Sequence, residues 1–248
     1  MRLAAALEPI YHRAPTPFVA MIARRLGLPV AETVGHFREG RRSGVTTHLL
    51  GLNAPAAASG HIGLVPGALL YAIVRTLRPT VMVETGVASG MSSAFVLAAM
   101  RDNQHGTLVS IDLPFTVQDD EPAAIVPGTS IEKIMWSPIP PGTEHGWLVP
   151  PELRDRWDLR LGDARELLPA AVEELGSIDI FLHDSLHTLE HMLFEFETAW
   201  PHIAPGGLLA TDDLGRKGVD PLQRFSHHVG LPFHPVGAVG FIRKPGAV

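Results

Sequence analysis

From Pro66 onward the chain alternates short, mainly apolar runs with stretches of helical period, and that alternation limits its fold more than any other feature. Leu69, Leu70, Ile73, Val74 and Leu77 form a helical stripe that stops at Pro79. Thr80 to Thr85 is a compact apolar strand that meets glycines at once and enters a helix, with Met91, Ala94, Phe95, Ala98 and Ala99 on one face. Further strands are predicted at Thr107 to Asp112, Trp157 to Gly162 and Ile178 to His183. Helices follow from about Arg165 to Leu175 and along Leu189, Met192, Leu193, Phe196, Trp200 and Ile203. Pro205-Gly206-Gly207 is expected to end that unit, with a fifth strand at Leu208 to Thr211 and two short ones near Phe233 and Phe241. Strands apolar on both faces, alternating with helices, predict an α/β fold: a doubly wound, Rossmann-like, seven-stranded and mostly parallel sheet with helices on both faces. Ligands on such sheets bind beyond the carboxyl ends of the strands.

Two segments stand outside the rhythm. Residues 1–60 read as an N-terminal helical and loop cap segment, with a short helix at Phe18 to Leu26, a loop at Glu39 to Val45 and a flexible connection at Asn53 to Gly60. Residues 61–248 read as the main domain. Within it the insertion 113–156 carries eight prolines between Pro114 and Arg156 and little periodicity. It follows the second strand on the ligand side and reads as a cover loop over the active site. Trp136, Trp147, His145 and Tyr11 are candidates to line the acceptor pocket.

Composition removes several classes of function. The 248 residues contain no cysteine, so disulfides, thiolate zinc sites and thiol nucleophiles are excluded. A net charge of -6 disfavours a nucleic-acid partner, and the one basic cluster, Arg38, Arg41 and Arg42, reads as solvated surface. The apolar start, Met1 to Leu7, is interrupted by Glu8 and Pro9, too short for a spanning helix and a poor signal peptide. The expectation is a cytoplasmic protein with no membrane partner, whose apolar N-terminal segment suits packing on a second copy.

Acidic residues end successive strands. Glu84 closes the first, before a turn with Gly86 and Gly90 in G-x-x-x-G spacing, and a carboxylate there suits a cationic ligand and repels a pyrophosphate. The helix start at Ser92 and Ser93 offers N–H groups to a carboxylate. Asp112 ends the second strand, where an acid accepts hydrogen bonds from both ribose hydroxyls. Gly162-Asp163-Ala164 ends the third, where an acid can hold an exocyclic amine or cap the next helix.

The fourth and fifth strands end in His183-Asp184-Ser185-Leu186-His187 and Thr211-Asp212-Asp213. Asp184, Asp212 and Asp213 should converge, and like charges that close are costly unless a cation sits among them. All-oxygen ligands point to a hard ion, magnesium before calcium or manganese. His187, at the start of the next helix, suits a general base. His183, His187 and His191 raise a zinc site as a rival, but His183 belongs to the strand and not to the helical face.

The order ETGVASG, SID, GDA and FLHDS resembles the successive motifs of class I S-adenosylmethionine-dependent methyltransferases, over roughly residues 65 to 245. The resemblance implies cofactor contacts from Glu84, Thr85, Gly86, Ala88, Gly90 and Ser92, with Gly86 to Gly90 around the methionine moiety, Asp112 on the ribose, and Asp163 with Ala164 on the adenine. Asp184, His187, Asp212 and Asp213 are similar to the metal-dependent O-methyltransferases that act on macrolide sugars, with Asp-x-x-His after the fourth strand and an acidic pair after the fifth. A related branch has Asp-Gly-Asp at the first site, its second Asp the base. Here that position is Leu186, which leaves the base role to His187. The resemblance implies magnesium-dependent O-methylation of a hydroxylated small molecule, such as a sugar, a natural product or a catechol-like acceptor. Three rivals stand beside it: a metal-free methyltransferase acting on nitrogen, carbon or a lone hydroxyl, a cofactor-binding protein without chemistry, and a nicotinamide oxidoreductase.

Overall fold

The computed structural model describes residues 12–53, 62–113, 139, 142–212, 214 and 221–246. Seven strands form one sheet: β1 (Val81–Thr85), β2 (Thr107–Asp112), β3 (Trp157–Leu161), β4 (Ile178–His183), β5 (Ile203–Thr211), β6 (His234–Val236) and β7 (Val239–Arg243). Their order is β3-β2-β1-β4-β5-β7-β6. The first five run parallel, β7 is antiparallel to β5, and β6 is antiparallel to β7. The direction of winding reverses between β1 and β4, the switch point where such sheets open a crevice for ligands.

Successive side chains on a strand point to opposite faces, and here both faces are apolar. Met82, Leu108, Ile180, Leu182 and Leu208 face one side. There they meet helices α1 (Thr16–Arg25), α2 (Val30–Gly40), α3 (Gly44–Gly51), α4 (Leu64–Leu77) and α5 (Met91–Asn103), through Ile22, Phe37, Leu49, Leu69 and Phe95. Val83, Val109, Phe181, Leu209 and Ile242 face the other side, against α6 (Ala164–Leu175), α7 (Leu189–Ala199) and α8 (Pro221–Val229), through Leu168, Phe196 and Phe225. The N-terminal helices therefore share one hydrophobic core with the sheet. Arg243 of β7 fastens α1 further by donating to the carbonyl oxygen of Leu26.

Local structure departs from the sequence reading in four places. The loop expected over Glu39 to Val45 shrinks to a turn: α2 continues to Gly40, and α3 starts at Gly44 with the Ser43 hydroxyl capping Thr46 N–H at 3.4 Å. α5 is buried on all sides from Met91 to Met100, because the sheet, α4 and the described end of the insertion enclose it. β5 does not start after Gly207. It runs from Ile203, because Gly206 N–H donates to Lys244 O at 3.1 Å and Lys244 N–H donates to Gly207 O at 2.9 Å. α7 begins at Leu189 with Thr188 as its cap, which leaves His187 in the preceding loop. No described helix is long and apolar enough to cross a membrane. Met1 to Tyr11, most of the 53–60 connection, Pro114 to Pro138 with Trp136, and Asp213 lie outside the described residues.

Candidate functional site

A row of backbone hydrogen bonds across the carboxyl ends of the strands brings the singled-out residues to one edge. Gly162 N–H donates to Asp112 O at 2.9 Å, Gly86 N–H to Ile111 O at 2.9 Å, Asp184 N–H to Thr85 O at 2.8 Å and Asp212 N–H to His183 O at 3.1 Å. The register pairs Thr85 with Ile111 and with His183, and His183 with Thr211. The loop after β1 thus lies between Asp112 on one side and Asp184, His187 and Asp212 on the other.

That loop is shaped by two close approaches. Gly86 has φ +84°, and a Cβ there would stand 2.2 Å from the carbonyl oxygen of Asp184. Gly90, at φ +86°, would place a Cβ 2.6 Å from Cα of Gly146. A Cβ at either glycine would therefore meet another segment of the chain. Ala88 also takes a positive φ of 49°, and its N–H donates to Asp112 Oδ2 at 2.9 Å.

Glu84 lies fully buried beneath the loop. Ser110 Oγ donates to its Oε1 at 2.7 Å, Ser92 Oγ to its Oε2 at 3.2 Å, and Ser93 Oγ also donates to Oε1. Burial pushes its carboxyl up to about 7, against the serine hydrogen bonds, which favour the charged form. Glu84 therefore works from below, fixing the first turn of α5, whose free N–H groups by helix geometry suit an anionic ligand group. Thr85 faces away from the loop, donating from Oγ1 to Glu195 at 2.6 Å.

Asp112 is mostly buried, with 13% of its side chain exposed, and its Oδ2 lies 2.5 Å from His145 Nδ1. Asp163 caps α6, its Oδ1 accepting Arg165 N–H at 2.8 Å, with Ala164 as the first residue of that helix. The capping role weighed for Asp163 is thus present.

On the other side of the loop, His187 Nε2 stands 3.5 Å from Asp184 Oδ1, an ion-pair distance for a protonated ring. Asp212 is buried at the end of β5, beside Asp184. Two largely buried carboxylates at adjacent strand ends fit a hard cation by donor chemistry. Among the described residues no group of three or more acidic or histidine side chains is arranged to hold a metal ion, and Asp213 is not among those residues.

Under this pair lies a network the sequence did not announce. Glu195, fully buried on α7, receives Thr85 Oγ1 and His183 Nδ1 on Oε2, both at 2.6 Å. Ser185 Oγ and His191 Nε2 donate to its Oε1, both at 2.8 Å. Burial alone would raise the Glu195 pKa, but His183 beside it and the hydrogen bonds from His183 and His191 outweigh that and hold the carboxyl below the ordinary range. Burial pushes the His183 pKa down, against the opposing pull of Glu195. His183 and His191 thus each spend one ring nitrogen on the Glu195 carboxylate. The available signal was an i, i+4 pair, His191 and Glu195, set in an otherwise apolar helix face.

Residues 83–214 match the model of a methyltransferase-domain family. No curated protein matches the chain. Among solved structures it is similar to an O-methyltransferase from Bacillus cereus in complex with SAH, at 16% identity and TM-score 0.53, covering 82% of this chain and 91% of that one. It is similar to the O-methyltransferase TomG from Streptomyces achromogenes, involved in tomaymycin synthesis and in complex with SAM, at 14% identity and TM-score 0.54, over 82% of this chain and 89% of that one. Cofactor-bound Rv0187 from MTB shares 15% identity at TM-score 0.56, over 83% and 91% of the two chains. These likenesses carry the fold, and the family match covers more than half of the sequence. The chain belongs to the methyltransferase-domain family, and its fold is that of the class I S-adenosylmethionine-dependent methyltransferases.

Proposed function

We propose that this methyltransferase acts on a hydroxyl of a small molecule, with His187 as its general base. The carrying observation is the strand-end register: it sets the loop after β1 between Asp112 and the Asp184–His187 pair, so one ligand can reach both. S-adenosylmethionine would supply the sulfonium methyl group and leave as S-adenosylhomocysteine. Gly86, Ala88, Gly90 and Ser92 bound its methionine end, with Glu84 and Thr85 supporting the loop from below. Asp112 accepts from the ribose, and Asp163 with Ala164 borders the adenine. His187 takes the acceptor proton on Nε2, and Asp184 stabilises the resulting imidazolium. Holding acceptor and methyl donor in line at one edge supplies much of the acceleration.

Asp184, Asp212 and Asp213 would hold magnesium, which would lower the pKa of the acceptor hydroxyl. The solved O-methyltransferases similar in fold support the choice of oxygen as acceptor atom. The His187–Asp184 pair favours a second reading, a metal-free enzyme, because it can move a proton unaided.

Calorimetric titration with S-adenosylhomocysteine, followed by turnover of hydroxylated acceptors with magnesium or with EDTA, tests both readings. Micromolar binding that is lost in Asp112→Ala, with turnover abolished by EDTA, is expected. Turnover that survives EDTA selects the metal-free enzyme, and no binding at millimolar ligand overturns the cofactor reading.

A further inference from the structure

The end of the insertion between β2 and β3 lies directly on the loop after β1. Gly146 N–H donates to Ala88 O and Leu148 N–H to Ser89 O, both at 2.9 Å. Arg154, in the short 3-10 helix Pro151–Arg156, holds the segment from behind, with Nη2 donating to Gly146 O at 3.3 Å. This arrangement carries His145 to the end of β2. Its side chain is 9% exposed, and Nδ1 is 2.5 Å from Asp112 Oδ2.

A carboxylate accepts hydrogen bonds, so Nδ1 carries the proton. In the neutral ring Nε2 is then an acceptor, and it is buried with no hydrogen-bond partner among the described residues. Asp112 Oδ2 already receives both His145 and Ala88 N–H, which fills its two lone pairs. Oδ1 remains for an incoming hydroxyl. A ribose diol brings two hydroxyl donors, and the second needs an acceptor of its own. A buried acceptor left without a partner is costly, and a sugar hydroxyl relieves that cost.

We infer that His145 is a nucleoside-binding residue supplied by the insertion, which fixes the Asp112 carboxylate through Nδ1 and receives a ribose hydroxyl on Nε2. This rests on the reading of Asp112 as the ribose residue. The described end of the insertion is thereby part of the cofactor site.

The test is calorimetric titration of S-adenosylhomocysteine into the full-length protein and its variants, with melting temperatures recorded alongside. H145A should weaken binding by about tenfold or more. H145N, whose amide can still donate to Asp112 but lacks the distal acceptor, should fall between H145A and wild type. In an Asp112→Asn background the H145A effect should shrink to about twofold, because the two residues act on one sugar. If H145A does not fold, H145N carries the test. Binding by H145A equal to or tighter than wild type overturns the role of His145 and leaves the cofactor reading standing, as does an undiminished effect in the Asp112→Asn background. No binding by the wild type overturns both.

Discussion

The carbonyl oxygen of Asp184 stands 2.2 Å from where a Cβ on Gly86 would be, so the turn after β1 and the turn after β4 fit only while residue 86 has no side chain. The obstacle is backbone, which cannot rotate away. Gly86→Ala should therefore displace the Asp184 turn and add the cost of a positive φ, about 1–2 kcal/mol, for a non-glycine residue. A lowered melting temperature together with weakened S-adenosylhomocysteine affinity is expected. Wild-type values for both would mean that the two turns are not coupled.

His187→Ala should lower turnover by roughly 10²–10⁴ while S-adenosylhomocysteine affinity changes by less than about twofold. Steady-state kinetics and calorimetry on the same preparation separate the two. An equal loss of both would remove His187 from the role of base.

Glu195 collects donors from Thr85, His183, Ser185 and His191 inside the protein. Glu195→Ala leaves them buried without an acceptor and should cost about 3–5 kcal/mol, read by urea denaturation. Glu195→Gln keeps the volume and one acceptor oxygen and should lose less. If both variants were as stable as wild type, the network would be ornamental to folding.

Glu84 binds its proton more tightly in the folded protein, near pH 7, than at the ordinary 4.5 of an unfolded chain. Between those values the folded state holds the extra proton, so this group's contribution to stability falls as pH rises through the window and is flat above it. The deficit at pH 8 is on the order of 3 kcal/mol. Glu84→Gln should therefore gain melting temperature relative to wild type between pH 5 and pH 8. Scanning calorimetry at the two pH values measures it, and a difference that does not change with pH would contradict the raised carboxyl.

Much of the sheet was legible because its signal is local. β2 and β4 occupy the residues that their apolar runs predicted, since strands buried on both faces are mostly apolar along their length. β5 was shortened because Pro205-Gly206-Gly207 reads as a stop, whereas its pairing partner is Lys244, far along the chain. The strand-end acids Asp112, Asp184 and Asp212 were legible as a row, because parallel register follows from the fold class. Glu195 was not legible as a site residue, and His145 was legible only as a candidate for the acceptor pocket, not as a partner of Asp112. Thr85 and Glu195, or Asp112 and His145, meet only in three dimensions, and no periodicity records which helix turn or loop end will face a given strand.

The insertion of β7 between β5 and β6 bears on when the site comes into being. Until residues 239–243 are in place, the strand that carries Asp212 has a bare outer edge. A chain emerging from the ribosome can already have paired β1 to β3, which end in the proposed cofactor residues, while β5 still waits for its last neighbour. A chain halted before residue 239 would thus be left with an adhesive strand edge beside the proposed acceptor site.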